Sequence, residues 1–190
     1  MKTAAMLGLM LPACLSAASA EPYIGLDGNR YSLTLSNSSS ELVPQSAGGE
    51  DFHVGDRFGN LAGEIGYGTS SSYSNVYSDN LHLTRLTADA IFYLPVAGGL
   101  NLLLTAGGAE TNYGISTYVR NSYQVDGEYK TSSADAPVSG GNELDWRAGG
   151  GLSFGLDQFE LRVLLRYQPL SMQSQAQNAL SLDVGLNFYF

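Results

Sequence analysis

From Leu180 to Phe190 the chain alternates without a break. Leu180, Leu182, Val184, Leu186, Phe188 and Phe190 fall on one side; Ser181, Asp183, Gly185, Asn187 and Tyr189 fall on the other. A period of two belongs to a β-strand, which sends successive side chains to opposite faces of its sheet. The pattern recurs along the chain. In 143–154, Leu144, Trp146, Ala148, Gly150, Leu152 and Phe154 oppose Glu143, Asp145, Arg147, Gly149, Gly151 and Ser153. In 159–167, Phe159, Leu161, Val163, Leu165 and Tyr167 oppose Glu160, Arg162, Leu164 and Arg166. In 81–94, His82, Thr84, Leu86, Ala88, Ala90, Phe92 and Leu94 oppose Arg85, Thr87 and Asp89, and in 61–68 Leu61, Gly63, Ile65 and Tyr67 oppose Ala62, Glu64 and Gly66.

The polar faces fit two all-β architectures, and a secretory leader, aromatic strand ends and the terminal Phe190 favour the membrane barrel over the soluble sandwich. Glu64, Arg85, Asp89, Asp145, Arg147, Glu160, Arg162, Arg166 and Asp183 all lie opposite the apolar faces, near the middle of their strands. A soluble sandwich would turn such groups out to water. A transmembrane barrel turns them inward, where opposite charges pair across a narrow lumen. These nine residues are therefore expected to form a lumenal ion-pair network, with Arg166 and Asp183, at comparable heights on neighbouring strands, as a specific pair.

The connections fit a barrel. Gly59-Asn60, Pro95–Gly99 and Gly155–Gln158 are tight, whereas Ser36–Gly49, Ser70–Asp79, Gly114–Asn142 and Pro169–Gln177 are longer polar stretches. Short periplasmic turns alternating with long extracellular loops are the habit of outer-membrane barrels. The segments number about eight, an even count that returns both ends to the periplasm. Strands 1 and 2, near Tyr23–Leu35 and Glu50–Phe58, are the least sharply patterned, and Asp56 falls on the lipid side of the second, near the membrane edge. Within the longest stretch, residues 117–125 and 128–130 flank Asp126-Gly127, which reads as a hairpin extending the wall above the membrane. The paired glycines Gly98-Gly99, Gly107-Gly108 and Gly149–Gly151 read as turn and wall positions where strands curve.

The chain starts with Met1-Lys2, an apolar run from Ala4 to Leu15 and Ala18-Ser-Ala20 before Glu21-Pro22. This is the pattern of a secretory signal cleaved after Ala20, leaving residues 21–190 as one barrel domain. The sole cysteine, Cys14, lies in that leader, where it reads as a small apolar residue rather than an acylation site; the mature chain then has no thiol chemistry. The formal charge of −9 becomes −10 once Lys2 is removed. So acidic a chain has no electrostatic footprint for nucleic acid. No later apolar run reaches the ~20 residues of a spanning helix.

Val54-Gly-Asp-Arg-Phe58, running through its two-residue turn into Leu61-Ala-Gly-Glu-Ile-Gly-Tyr67, resembles the small OmpA- and OmpX-like outer-membrane barrels. So do Leu86–Pro95 and the closing Gly185-Leu-Asn-Phe-Tyr-Phe190. The chain departs from the pattern at Asp56, where such proteins usually carry an aromatic before Arg57. The resemblance spans residues 21–190 and implies an eight-stranded antiparallel barrel in the outer membrane. It also implies that Phe188 and Phe190 close an assembly signal for the outer-membrane insertion machinery. No cell-wall-binding domain is expected after Phe190.

Catalysis finds little support. The mature chain has two histidines. His82-Leu-Thr84 places an imidazole and a hydroxyl on one face, an arrangement similar to the His-x-Ser of outer-membrane lipid A deacylases, but no carboxylate is placed to orient the ring. Those two residues read as a polar pair at the membrane interface, and His53 as pointing inward or sitting at a loop edge. No cofactor or metal pattern is present. A lumen eight strands wide is filled by side chains, so four inward arginines argue against a water path. The expected role is structural or surface-interacting, for a monomer bathed in outer-membrane lipid and lipopolysaccharide. Tyr73, Tyr77, Tyr118, Tyr123 and Tyr129 on the polar stretches are available to an extracellular ligand. A narrow porin-like channel and a lipid A-modifying hydrolase are the alternatives.

Overall fold

The structure, a computed structural model, describes residues 20–35, 46–73, 79–125, 128–172 and 175–190. The leader up to residue 19, Cys14 included, lies outside them, as do Tyr77 and the Asp126-Gly127 turn. Eight strands follow in chain order: β1 (Ala20–Leu35), β2 (Ser46–Phe58), β3 (Leu61–Tyr73), β4 (Asp79–Ala97), β5 (Leu100–Val125), β6 (Glu128–Leu156), β7 (Phe159–Met172) and β8 (Gln175–Tyr189). Each pairs antiparallel with its sequence neighbours, and β8 pairs back onto β1. Closure removes the sheet's edges, which an apolar solvent would leave unsatisfied.

Register fixes the shape. Starting at Pro22, successive pairs run to Asp56, Gly63, Ala90, Ala106, Ala148, Tyr167 and Leu180, and reach β1 again at Ser32. The path thus returns ten residues further along the starting strand. A stagger of that size in eight strands tilts them steeply and draws the wall in around a core of side chains.

Every second residue points into the lumen. On β4 the inward set is Leu81, Leu83, Arg85, Thr87, Asp89, Ile91 and Tyr93, all buried. The outward set from Leu86 to Leu94 is exposed, and Ile24, Leu26, Ile65, Leu104, Leu152, Leu161, Val163, Val184 and Leu186 extend it round the barrel. An exposed apolar belt around a charged interior inverts the arrangement of a soluble protein and suits a bilayer. Aromatic rings mark its limits. Phe154, Phe159, Phe188 and Phe190 lie near one end, where the Phe159 and Phe188 rings stand 5.2 Å apart. Tyr67, Trp146 and Tyr167 lie toward the other, with Trp146 and Tyr167 rings 5.6 Å apart.

The two ends differ. At the turn end, two-residue turns join β2 to β3, β4 to β5 and β6 to β7, with positive φ at Gly59, Gly98, Gly99 and Asp157. Aspartate tolerates that conformation better than most side chains. At the opposite, hairpin end the strands run well past the alternating segments. β3 continues to Tyr73 and β7 to Met172, while β8 starts at Gln175. β5 and β6 stay paired as far as Val125 and Glu128, flanking the expected turn. Much of the polar sequence assigned to connections is therefore strand. Beyond the apolar belt a strand needs no greasy face, so backbone pairing continues where the alternation stops. One seam parts early: β6 and β7 pair only from Ala148–Tyr167 to Leu156–Phe159, although both strands continue beyond.

Candidate functional site

The lumen gathers nearly all the chemistry this fold can offer, in three layers. At the turn end Tyr23, Ile91, Tyr93, Leu103 and Leu164 pack with Ala62, and Tyr189 leans against them. At the hairpin end Tyr31, Leu33, Ala47, Leu81, Leu83, Tyr113, Ile115, Leu170 and Ala179 form a second apolar cluster. Between them lies the charge.

Arg162, fully buried on β7, is the hub. Its Nε donates to Asp27 Oδ1 at 3.0 Å and its Nη2 to Asp27 Oδ2, while Nη1 and Nη2 donate to Glu64. Nη2 also lies 3.1 Å from His53 Nδ1. A guanidinium only donates, so Nδ1 must accept and the ring proton sits on Nε2. From there it is donated to Asn187 Oδ1 at 2.7 Å. Asn187 Nδ2 donates onward to Glu160 Oε1 at 3.0 Å. Glu160 is held mostly by neutral donors, with Ser153 and the Tyr93 hydroxyl adding to Asn187. Its nearest cation is Arg57, 3.7 Å away at the turn-end rim and stacked over Tyr93.

Toward the hairpin end a second tier follows. Arg147 grips Asp89 with two donors, one at 2.8 Å from Nε. Arg166 Nη1 donates to Asp183 Oδ2 at 2.8 Å, and Ser181 donates to the same oxygen. Arg85 Nη2 donates to Asp51 at 2.7 Å, its guanidinium 4.0 Å from the centre of the Tyr31 ring. Buried charges persist only when paired and hydrogen-bonded. Among the described residues six carboxylates and four guanidiniums are buried in the lumen, so neutral donors serve the surplus anions, as they do at Glu160.

Glycines make room for these side chains. A Cβ at Gly68 would collide with Asp51, at Gly185 with Asp27, and at Gly107 with Asp89. Each charged side chain leans over a bare stretch of the adjacent strand. That relation depends on register, which is why the wall glycines read in sequence only as sites of curvature.

Eight of the nine residues proposed from sequence lie in this network. Asp145 does not: it sits half-buried on β6 just above the last β6–β7 pair, belongs to none of the ion pairs among the described residues, and leaves Oδ2 without a partner. The strand that would bring it a neighbour has already diverged. Sequence reading missed Asp27 and Asp51, although Tyr23, Gly25, Asp27, Asn29 and Tyr31 alternate against Ile24 and Leu26. It placed Leu164 inward with its charged neighbours but missed Leu33, Leu81, Leu83, Leu103 and Leu170, since an apolar residue on the polar face looks like a lapse in the pattern.

Outside the lumen, His82 is exposed and Thr84 half-buried on the outward face. His82 pairs across to Ser71 and Gly114, and no described hydrogen bond joins it to a carboxylate. Asp56 shares the parity of Phe52 and Val54, two residues from the Gly59-Asn60 turn. At the C-terminus, Phe190 N–H donates to Pro22 O at 3.2 Å, and its ring is exposed beside Phe188. Of the tyrosines offered for recognition, Tyr73, Tyr118, Tyr123 and Tyr129 fall within strands at the hairpin end.

No protein-family model matches the chain, and neither does any curated protein. Solved structures do. Neisserial surface protein A superposes with a TM-score of 0.66 at 15% identity, over 90% of this chain and 99% of that one. Ail, the attachment invasion locus protein of Yersinia pestis, solved with the heparin analogue sucrose octasulfate, gives 0.53 at 11% identity over 90% and 99%. At such identities the likeness is one of architecture: the chain has the eight-stranded barrel fold of the small OmpA- and OmpX-like outer-membrane proteins.

Proposed function

We propose that this chain is a monomeric integral protein of the bacterial outer membrane, with a structural or surface-interaction role, a sealed lumen and no catalytic activity. It is exported by a signal cleaved after Ala20 and inserted by the outer-membrane assembly machinery, with Phe188 and Phe190 closing the signal that the machinery reads. The hairpin end faces outward and the turn end faces the periplasm. The observation that carries the reading is the layered lumen. An ion must pass two apolar clusters and a charged tier whose carboxylates and guanidiniums are already bound to one another.

The lipid-hydrolase alternative is less well supported, because among the described residues no carboxylate is hydrogen-bonded to His82 to orient its ring. A surface ligand is left to the outer hairpins. The sulfated ligand seen on Ail is a poor guide to it, since this chain carries 18 acidic against 9 basic residues. The test is single-channel conductance of the purified protein in a planar bilayer. Silence over a broad voltage range is expected; steady, reproducible openings would overturn the sealed lumen and put the narrow channel in its place.

A further inference from the structure

One cation breaks the pattern of the outward wall. Arg30 on β1 points away from the lumen and is exposed, in register with Gly48 on β2 and Leu182 on β8. No ion pair or hydrogen bond of its side chain occurs among the described residues, in contrast to every buried guanidinium of the lumen. Its position is that of the hairpin-end aromatics, with Trp146 and Tyr167 further round the wall. A groove opens beside it, lined by Ser32, Ser46, Leu165, Leu180 and Leu182. Its glycine neighbours on the same face leave the backbone bare: a Cβ at Gly28 or Gly48 would meet only a carbonyl oxygen, at 3.9 and 3.7 Å.

We propose that this wall seats one phosphorylated lipid of the outer leaflet, its phosphate on the Arg30 guanidinium and an acyl chain along Leu165, Leu180 and Leu182. The inference rests on the outer-membrane reading above and adds a defined lipid site to it. A guanidinium at a membrane boundary is matched by a phosphate, which it can hold with two parallel hydrogen bonds. The Ser32 and Ser46 hydroxyls, register partners on the same face, supply further donors on the water side. The bare backbone at Gly48, the register partner of Arg30, lets a headgroup approach closely. Free phosphate is a poor occupant, because Glu50, the register partner of Gly28, is exposed on the same face and repels an anion with no apolar anchor. The acyl chain in the groove supplies that anchor.

The full-length protein, purified from outer membranes in detergent, is titrated with lipid A and with fully dephosphorylated lipid A, and occupancy is read by native mass spectrometry. The wild type should prefer the phosphorylated lipid by about tenfold, the size of a charge-assisted hydrogen-bond pair. Arg30→Gln should abolish the preference, and Leu182→Ser should weaken both lipids alike. Equal binding of the two lipids by the wild type would overturn the site without need of any variant, as would a preference that survives Arg30→Gln. Displacement of the bound lipid by inorganic phosphate would overturn the lipid as occupant. Heat-modifiable migration on gels confirms that each variant is folded, and cell fractionation reads the outer-membrane assignment separately. A correctly localised barrel without the preference therefore sinks the lipid site alone.

Discussion

At the scale of single residues, Arg162 and His53 carry the most specific claims. Arg162 holds Asp27 on its Nε–Nη2 edge and Glu64 on its adjoining Nη1–Nη2 edge. Arg162→Ala would leave two buried carboxylates without their cation, and unfolding in urea from detergent micelles should show a loss of about 3–5 kcal/mol. Combining Arg162→Met with Asp27→Asn and Glu64→Gln should recover most of it, since the cost lies in the stranded charges rather than in the missing contacts. A loss under about 1 kcal/mol in the single variant would show that the tier is hydrated and weakly coupled. His53 is constrained by the same hub. With Arg162 donating to Nδ1 and Asn187 offering its oxygen to Nε2, the ring has one tautomer that satisfies both neighbours. Nitrogen-15 shifts of His53 should report a protonated Nε2 and a bare Nδ1; the opposite pattern would mean that the Arg162 contact is not formed.

At the scale of elements, the seam between β6 and β7 is the feature most open to test. These strands part above Ala148 and Tyr167, whereas β4 and β5 stay paired up to Asp79 and Thr117. Amides on the β7 side of β6 from 141 to 147 therefore lack ladder partners, and they should exchange hydrogen at least ~100-fold faster than amides in the paired part of β4. Equal protection along both seams would mean that the two strands close in the membrane. This element also marks the limit of sequence reading. The belt was legible because lipid demands an apolar residue at every second position, and the terminal strand met that demand from Leu180 to Phe190. Above the belt nothing demands it: β5 and β6 remain a ladder through Ser, Tyr and Asn residues chosen for water. Glu64, Arg85 and Arg162 were legible inside because a charge opposite a greasy face has few other places to go. Leu81 and Leu83 were not, since apolar residues on both faces of β4 give no sign of which face meets lipid and which fills the lumen.

For the molecule as a whole, the proposed sealed lumen depends on the order of the layers. The charged tier alone could admit water between its ion pairs, because Arg166 Nε and Nη2, Asp183 Oδ1 and Asn29 Nδ2 are buried without hydrogen-bond partners. Such groups attract water wherever space allows. The cluster of Leu33, Leu81, Leu83, Ile115 and Leu170 stands between those atoms and the hairpin-end mouth, and the tyrosine-rich cluster stands between them and the turn-end mouth. On the sealed-lumen proposal the seal is redundant, with apolar plugs excluding water and paired charges blocking whatever enters. Redundancy makes a prediction that neither layer makes separately. Replacing Leu81, Leu83 and Leu170 by serine should wet the hairpin end yet leave planar-bilayer recordings silent, because Arg85, Arg147 and Arg166 still cross the lumen. Replacing those three arginines by serine, with the leucines kept, should be silent as well, though the stranded carboxylates would lower stability. The six replacements together should give openings in a barrel that still shows heat-modifiable migration. Conductance from either set of three alone would mean that one layer does all the sealing. Silence from the combined variant would move the seal to the turn end, where Tyr23 donates to Glu64, Tyr93 donates to Glu160 and Tyr189 packs against Tyr23.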